Sequence, residues 1–379
     1  MRKPIVGWDL GSAEQGEKAP GTARLIIQQT LALAKIDVGW QWVPTVETRK
    51  SPVHDVFNNC KAVLVPGHQI SIRNTFRLGK VWREQRCDMG FCSNGLVPLG
   101  SLPVVSNFFD ASLFEFGKTW IQSGRMKSFL ILQALSRLSM RRSRRLFILS
   151  NYGRKKLGEY FPSVKDKLIV TPCGCTELPP ASPTVPAWAK KLTKPFFLNV
   201  GLFSENKNQP RLIDAWVQRQ SCDPSWPTLV LIGGCDSKFF VEKIRPRHAK
   251  SPRPDEIIMP GRVTDAELRW AYENSHAYLH AAFAEGFGMP IIEAMAAGTA
   301  VCCSDTTSMP ETAGDAAVYF DPSDSESLCR AVERVRSDEA LRLRLKTLGA
   351  EQARQFTWRR NAEIVAFEIE GVLREVFKN

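Results

Sequence analysis

Short apolar runs alternate with longer amphipathic stretches along most of this chain. Residues 5–10 read as a buried strand, and 62–66, 89–92 and 102–106 as further short ones. Residues 21–36 carry Ala23, Ile26, Ile27, Thr30, Leu31 and Leu33 at helical spacing, after a glycine-bearing loop. That order of strand, glycine loop and helix opens many nucleotide-binding sheets. A helix is expected over 126–145, where Phe129, Leu130, Leu132, Leu135 and Leu138 mix with arginines, and strands at 146–149 and 168–172 follow. Beyond residue 195 the alternation resumes, with strands at 196–200, 229–234, 277–281 and 299–303 and helices at 325–337, 339–355 and 361–377.

A chain of 379 residues exceeds one ordinary core and fits two domains of about 180 residues each. Pro179, Pro180, Pro183, Pro186 and Pro195 mark a linker between them. The expected division is a first domain over 1–178, a linker over 179–194, a second domain over 195–358 and a closing segment over 359–379. No stretch approaches 18 uninterrupted apolar residues, and the start lacks the apolar run of a secretory signal. The ten cysteines include no C-x2-C pair, and Cys302 and Cys303 fall in an apolar strand where a thiol acts as a small hydrophobe. A reduced, cytoplasmic protein is therefore expected. His276 and His280, spaced i, i+4 at the strand 277–281, are predicted to share one face of the sheet; no metal site is expected from them.

Residues 285–298 carry the most chemistry. Glu285 and Glu293 flank a glycine turn and the start of a short helix. Pro290 suits the first helical position, since its fixed φ fits and its missing N–H would be unpaired there, and Gly298 suits the stop. Gly286 and Gly288 lack a Cβ, so backbone can approach a ligand closely. Free N–H groups at the helix start favour an anion such as a diphosphate. Glu285 on the loop is placed to accept hydrogen bonds from sugar hydroxyls, and Glu293 to bind a ribose diol.

This run resembles the E-x7-E signature of the retaining, nucleotide-sugar-dependent glycosyltransferases of family 4. The resemblance continues through 196–216, 229–234 and 261–272 upstream, and through Met309-Pro310-Glu311, Gly314-Asp315-Ala316 and Phe356-Thr357-Trp358 downstream. It implies an α/β protein of the GT-B fold, with two Rossmann-like domains whose parallel sheets face a central cleft. It further implies that the closing helix returns to the N-terminal domain. The donor site implied is Gly21 and Thr22 from the first domain, with Gly201, Arg262, Val263, Gly286, Phe287, Gly288, Met289, Pro290 and Glu293 from the second. The implied catalytic set is Glu285, Lys207 on the leaving diphosphate, and Asp110, which serves equally well as a loop cap. Two positions depart from the pattern. Phe109 stands where a histidine commonly lies beside the donor sugar, with His68 and Asn107 as candidate replacements. Leu202 stands where many members carry an arginine, leaving Arg262 as either a compensating cation or a surface residue.

The activity implied is transfer of a sugar, with retention, from a UDP- or GDP-sugar to a glycan or lipid-linked acceptor in cell-surface polysaccharide or lipopolysaccharide assembly. No cofactor and no metal are implied. A non-catalytic nucleotide-sugar-binding protein of the same fold is the alternative. Charge adds a partner. Residues 1–185 hold 26 Lys and Arg against 13 Asp and Glu, whereas the remainder holds 25 against 26. The excess lies in the acceptor-side half and points to an anionic acceptor or an anionic membrane surface. Arg125, Lys127, Arg137, Arg141, Arg142, Arg144 and Arg145 make the helix at 126–145 either a membrane-surface element or a core-packed helix with a solvated basic face. No aromatic-basic motif indicates nucleic acid.

Overall fold

The computed structural model describes residues 2–11, 13, 20–47, 53, 62–65, 72–109 and 126–378. They divide into two compact units, Met1–Gly174 with Thr357–Asn379, and Cys175–Phe356.

The first unit is built on a parallel sheet of seven strands: β1 (Ile5–Asp9), β2 (Gln41–Val46), β3 (Val63–Leu64), β4 (Met89–Cys92), β5 (Val104–Asn107), β6 (Arg145–Ile148) and β7 (Leu168–Val170). Their spatial order is β3-β2-β1-β4-β5-β6-β7. β2 has no counterpart among the expected strands, because Pro44 and the polar Gln41 and Thr45 break its apolar run. Proline is tolerated there because β3 pairs only with Thr45 and Val46, so the missing N–H of Pro44 costs no ladder bond. Gly7 and Gly90 leave room for the fully buried Trp82, since a Cβ on either would lie within 2.5 Å of its ring.

The closing helix, Trp358–Lys378, belongs to this unit. A buried amide chain ties it in. Asn361 donates to the carbonyl of Pro172 at 2.8 Å, Gln29 donates to Asn361 at 2.9 Å, and Asn107 donates to Gln29 at 2.7 Å. Buried amides joined in this way fix orientation, because each unpaired group would cost a desolvation penalty.

The second unit holds a parallel sheet of six strands: β8 (Phe196–Val200), β9 (Thr228–Ile232), β10 (Ile257–Gly261), β11 (Ala277–His280), β12 (Val301–Ser304) and β13 (Ala317–Phe320). Their order is β10-β9-β8-β11-β12-β13. Both faces are covered, which explains the near-continuous apolar strands. Phe197, Leu229, Leu231, Leu279 and Cys302 pack with Leu212, Ile213 and Trp216 of helix Gln209–Cys222 on one face. Phe196, Leu198, Val230, Tyr278 and Val301 pack with Ile291, Ala294 and Met295 of helix Met289–Ala296 on the other.

The proline-rich stretch expected as a linker lies in this second unit. Its 3-10 turn Ala187–Lys191 carries Trp188, whose ring centroid lies 5.8 Å from Trp270 and 6.3 Å from Phe196. Leu178 and Leu192 join the same core. Prolines hold the backbone extended, but these apolar anchors dock it.

Candidate functional site

In a doubly wound sheet, loops leave neighbouring strands in opposite directions where the strand order reverses, and a crevice opens at the carboxyl ends. In the second unit that point lies between β8 and β11. The loop after β8 carries Gly201, Leu202 and Lys207; the loop after β11 carries Glu285 to Gly288. The topology therefore brings Lys207 and Glu285 together across 78 residues, and the Lys207 ammonium donates to Glu285 Oε1.

Local sequence sets each side of the crevice. Asn208, at φ 62°, turns the chain into helix Gln209–Cys222 directly after Lys207. Asn206 clamps the facing loop, donating from its side chain to the carbonyl of Ala284 at 2.8 Å and accepting the N–H of Phe283 on its own carbonyl at 2.8 Å. Glu285 is held from behind as well. Its N–H donates to Thr307 Oγ1 at 3.1 Å, and its carbonyl accepts from Ser308 Oγ at 2.8 Å. Gly288, at φ 93°, starts helix Met289–Ala296 with Pro290 in the first turn. The N–H groups of Gly286, Phe287 and Gly288 make no protein hydrogen bond among the described residues.

Glycine closes the floor. The carbonyl of Gly201 approaches Gly233 so closely that a Cβ there would lie 1.8 Å from it, and Gly233 itself donates to the carbonyl of Gly261 at 2.9 Å. Arg262 and Val263 follow Gly261 two strands along from β8. Arg262 is exposed beside Gly234, whereas Val263 is half-buried against the core.

Electrostatics single out Glu285. Burial raises its pKa, but the Lys207 charge and the hydrogen bond from His280 outweigh it and hold the carboxyl at about 2. Glu285 is therefore an acceptor at neutral pH. Its Oε1 takes both protein contacts, from Lys207 and from His280 Nε2 at 3.0 Å. Glu293 is buried, with Tyr272 Oη 3.3 Å from its Oε2.

Several expectations need correction. His276 and His280 do not share a face: His276 packs on Phe197 and contacts Arg342 at 3.1 Å, whereas His280 bonds Tyr278 and Glu285. His276 precedes β11, so strand alternation does not reach it. The Phe287 side chain points into the core against Phe356, with centroids 5.2 Å apart, so only its backbone is available to a ligand. Asn107 is committed to Gln29, so it does not replace a histidine at Phe109. Gly21 and Thr22 occupy the first turn of helix Pro20–Leu33 in the first unit. Asp110 and His68 lie outside the described residues. Sequence reasoning missed His280, Tyr278 and Thr307. Only the placement of His280 five residues before Glu285, at the end of an apolar strand, hinted at the first.

Residues 184–352, all within the second unit, match the family model for glycosyl transferases group 1. The second unit is a group 1 glycosyl transferase domain. The chain is 27% identical over 220 residues to O-antigen chain mannosyltransferase B of Escherichia coli, covering 56% of this chain and 57% of that protein. It thus spans little more than half the length of that curated relative. Sucrose-phosphate synthase from Thermosynechococcus elongatus superposes with a TM-score of 0.75 at 18% identity, over 99% of each chain. Anabaena HepE in complex with UDP and glucose gives 0.72 at 16% identity, over 98% of this chain and 100% of that one. The two parallel sheets and these neighbours identify the fold as GT-B. In the group 1 domain, the crevice between β8 and β11 is the place where Lys207, Glu285 and the free N–H groups of the glycine turn converge.

Proposed function

We propose that the chain transfers a sugar, with retention of anomeric configuration, from a nucleotide-sugar donor to a glycan or lipid-linked acceptor in O-antigen or related lipopolysaccharide assembly. The observation that carries this reading is the pairing of an ionised, partly buried Glu285 with Lys207 at the switch point of a group 1 glycosyl transferase domain. Glu285 accepts from sugar hydroxyls. The backbone N–H groups of Gly286 to Gly288 and the remaining donors of Lys207 stabilise charge developing on the leaving diphosphate, where fixed dipoles need no reorganisation. The leaving group takes the acceptor proton on the same face, so no separate protein base is required. Glu293 binds the ribose, with Tyr272 orienting it. Metal is not needed for this charge balance.

Mannose is the first donor sugar to test, because the curated relative is a mannosyltransferase. Thermal melts with GDP-mannose, UDP-glucose and an RNA control, followed by transfer assays in excess EDTA, test the proposal. Stabilisation by a nucleotide sugar and transfer that survives EDTA are expected. Binding without any transfer across donors and lipid-linked acceptors would favour a non-catalytic role instead.

The acceptor side docks on an anionic membrane surface. No described helix is long and apolar enough to cross a membrane. Helix Met126–Arg142 contains no acidic residue and exposes Leu130, Ile131 and Leu138 beside Arg137 and Arg141, as an interfacial element does. The basic cluster is smaller than its sequence implies. Arg145 is paired with Glu368 at 2.9 Å and Glu375 at 2.8 Å, and Arg142 donates to the carbonyl of Gly100. The exposed charges of Arg137, Arg141 and Arg144 carry the attraction, Arg137 with its guanidinium over the Phe161 ring.

A further inference from the structure

The crevice contains a buried relay that the activity as described does not use. Tyr278 and His280 alternate onto one face of β11, and both are essentially inaccessible to solvent. Tyr278 Oη lies 2.8 Å from His280 Nδ1, and His280 Nε2 lies 3.0 Å from Glu285 Oε1. An ionised carboxylate can only accept, so Nε2 carries the hydrogen. In the neutral ring Nδ1 is then the acceptor, and the Tyr278 hydroxyl donates to it. A phenol, an imidazole and a carboxylate thus form one directed chain, in which the outer group selects the tautomer of the middle one.

This chain has a consequence at the other carboxylate oxygen. Lys207 and His280 both bind Oε1, and Oε2 has no protein partner among the described residues. Two donors converging on one oxygen from different elements oppose rotation of the carboxyl group. Lys207 alone would not achieve this, because its long stem rotates freely and its ammonium has no preferred direction. The planar ring of His280, wedged in the sheet, supplies the direction.

We propose that His280, held by Tyr278, is the positioning residue that fixes the Glu285 carboxylate so that Oε2 alone meets a hydroxyl of the donor sugar. The inference rests on Glu285 being the sugar contact. Misplacing a group by about 1 Å at a reacting centre costs on the order of a hundredfold in rate, so orientation is felt in turnover more than in nucleotide binding.

The test compares His280→Leu, His280→Gln, Tyr278→Phe and Glu285→Ala with wild type, using the nucleotide sugar that wild type transfers and thermal melts to establish folding. His280→Leu removes the donor and is expected to lower kcat at least about tenfold while the donor KM stays within about threefold. Its acid limb in kcat/KM should move to higher pH, because Glu285 loses a hydrogen bond that favours its charged form. His280→Gln keeps an amide N–H near the position of Nε2 and is expected to restore kcat to within about threefold of wild type, with the acid limb restored. Tyr278→Phe frees the tautomer and should cost several-fold in kcat.

A kcat for His280→Leu within twofold of wild type overturns the positioning role, as does an equal loss in His280→Gln. If His280→Leu does not fold, the comparison passes to Tyr278→Phe, and an unchanged kcat there overturns the inference. An inactive Glu285→Ala beside a fully active His280→Leu removes this inference and leaves the proposed function standing. A wild-type protein that transfers no sugar from any nucleotide donor removes both.

Discussion

Replacing Lys207 with methionine keeps most of the side-chain volume and removes the ammonium that faces Glu285. The side chains are 27% and 14% exposed, so solvent screens the pair only partly. Glu285 titrates at about 2 in the folded protein against 4.5 for the free group, despite burial that acts the other way. That difference corresponds to roughly 3 kcal/mol of folding free energy at neutral pH. Because the folded carboxyl titrates below the unfolded one, the stabilisation is complete above about pH 4.5 and is lost as pH falls toward 2. By pH 3 roughly 2 kcal/mol of it is gone. Urea unfolding of wild type, Lys207→Met, Glu285→Gln and the double variant at pH 3 and pH 6 reads this directly. Lys207→Met should cost on the order of 3 kcal/mol at pH 6, because it strands a partly buried carboxylate. Wild type should lose about 2 kcal/mol more than Glu285→Gln between pH 6 and pH 3, and the double variant should be less damaged than the sum of the singles. Parallel acid losses in wild type and Glu285→Gln, or a cost below about 0.5 kcal/mol for Lys207→Met, would refute the reasoning.

Lys207→Ala should also slow transfer at least about tenfold at saturating donor, equivalent to about 1.4 kcal/mol in the transition state; a rate within twofold gives the lysine another role. Glu293→Gln should weaken nucleotide diphosphate binding, measured by calorimetry, more than it changes kcat, and equal affinities would remove the ribose contact. Gly233→Ala should prevent or severely weaken folding of the second unit, because its Cβ would lie 1.8 Å from the Gly201 carbonyl, whereas Gly371→Ala, where nothing lies within 4 Å, should stabilise a helix by about 0.5–1 kcal/mol in denaturation experiments. Protein with Arg137, Arg141 and Arg144 changed to Gln should co-sediment with anionic vesicles less than wild type, and wild-type binding should fade near 1 M salt, where the screening length is about 3 Å; equal binding to neutral and anionic vesicles would remove the electrostatic docking.

The chain's own pattern determined the parallel, doubly covered strands, since burial on both faces favours near-continuous apolar runs such as 229–232 and 196–200, the latter interrupted only by Asn199. It also marked the turn from Glu285 to Pro290, because a left-handed φ at Gly288 and a proline in the first turn are local requirements written in residue type. It did not reveal β2, whose proline is tolerated only because β3 stops short beside it. Nor did it show that the proline-rich segment docks through Trp188, or that Phe287 turns into the core. The meeting of Lys207 with Glu285, and the line from Tyr278 through His280, were beyond it for a single reason. No residue near Lys207 in sequence records which loop will face it; the reversal of strand order between β8 and β11 decides that. A histidine at the end of an apolar strand is compatible with a satisfied core residue until the sheet is assembled, and only then does its second nitrogen find a carboxylate from the next loop.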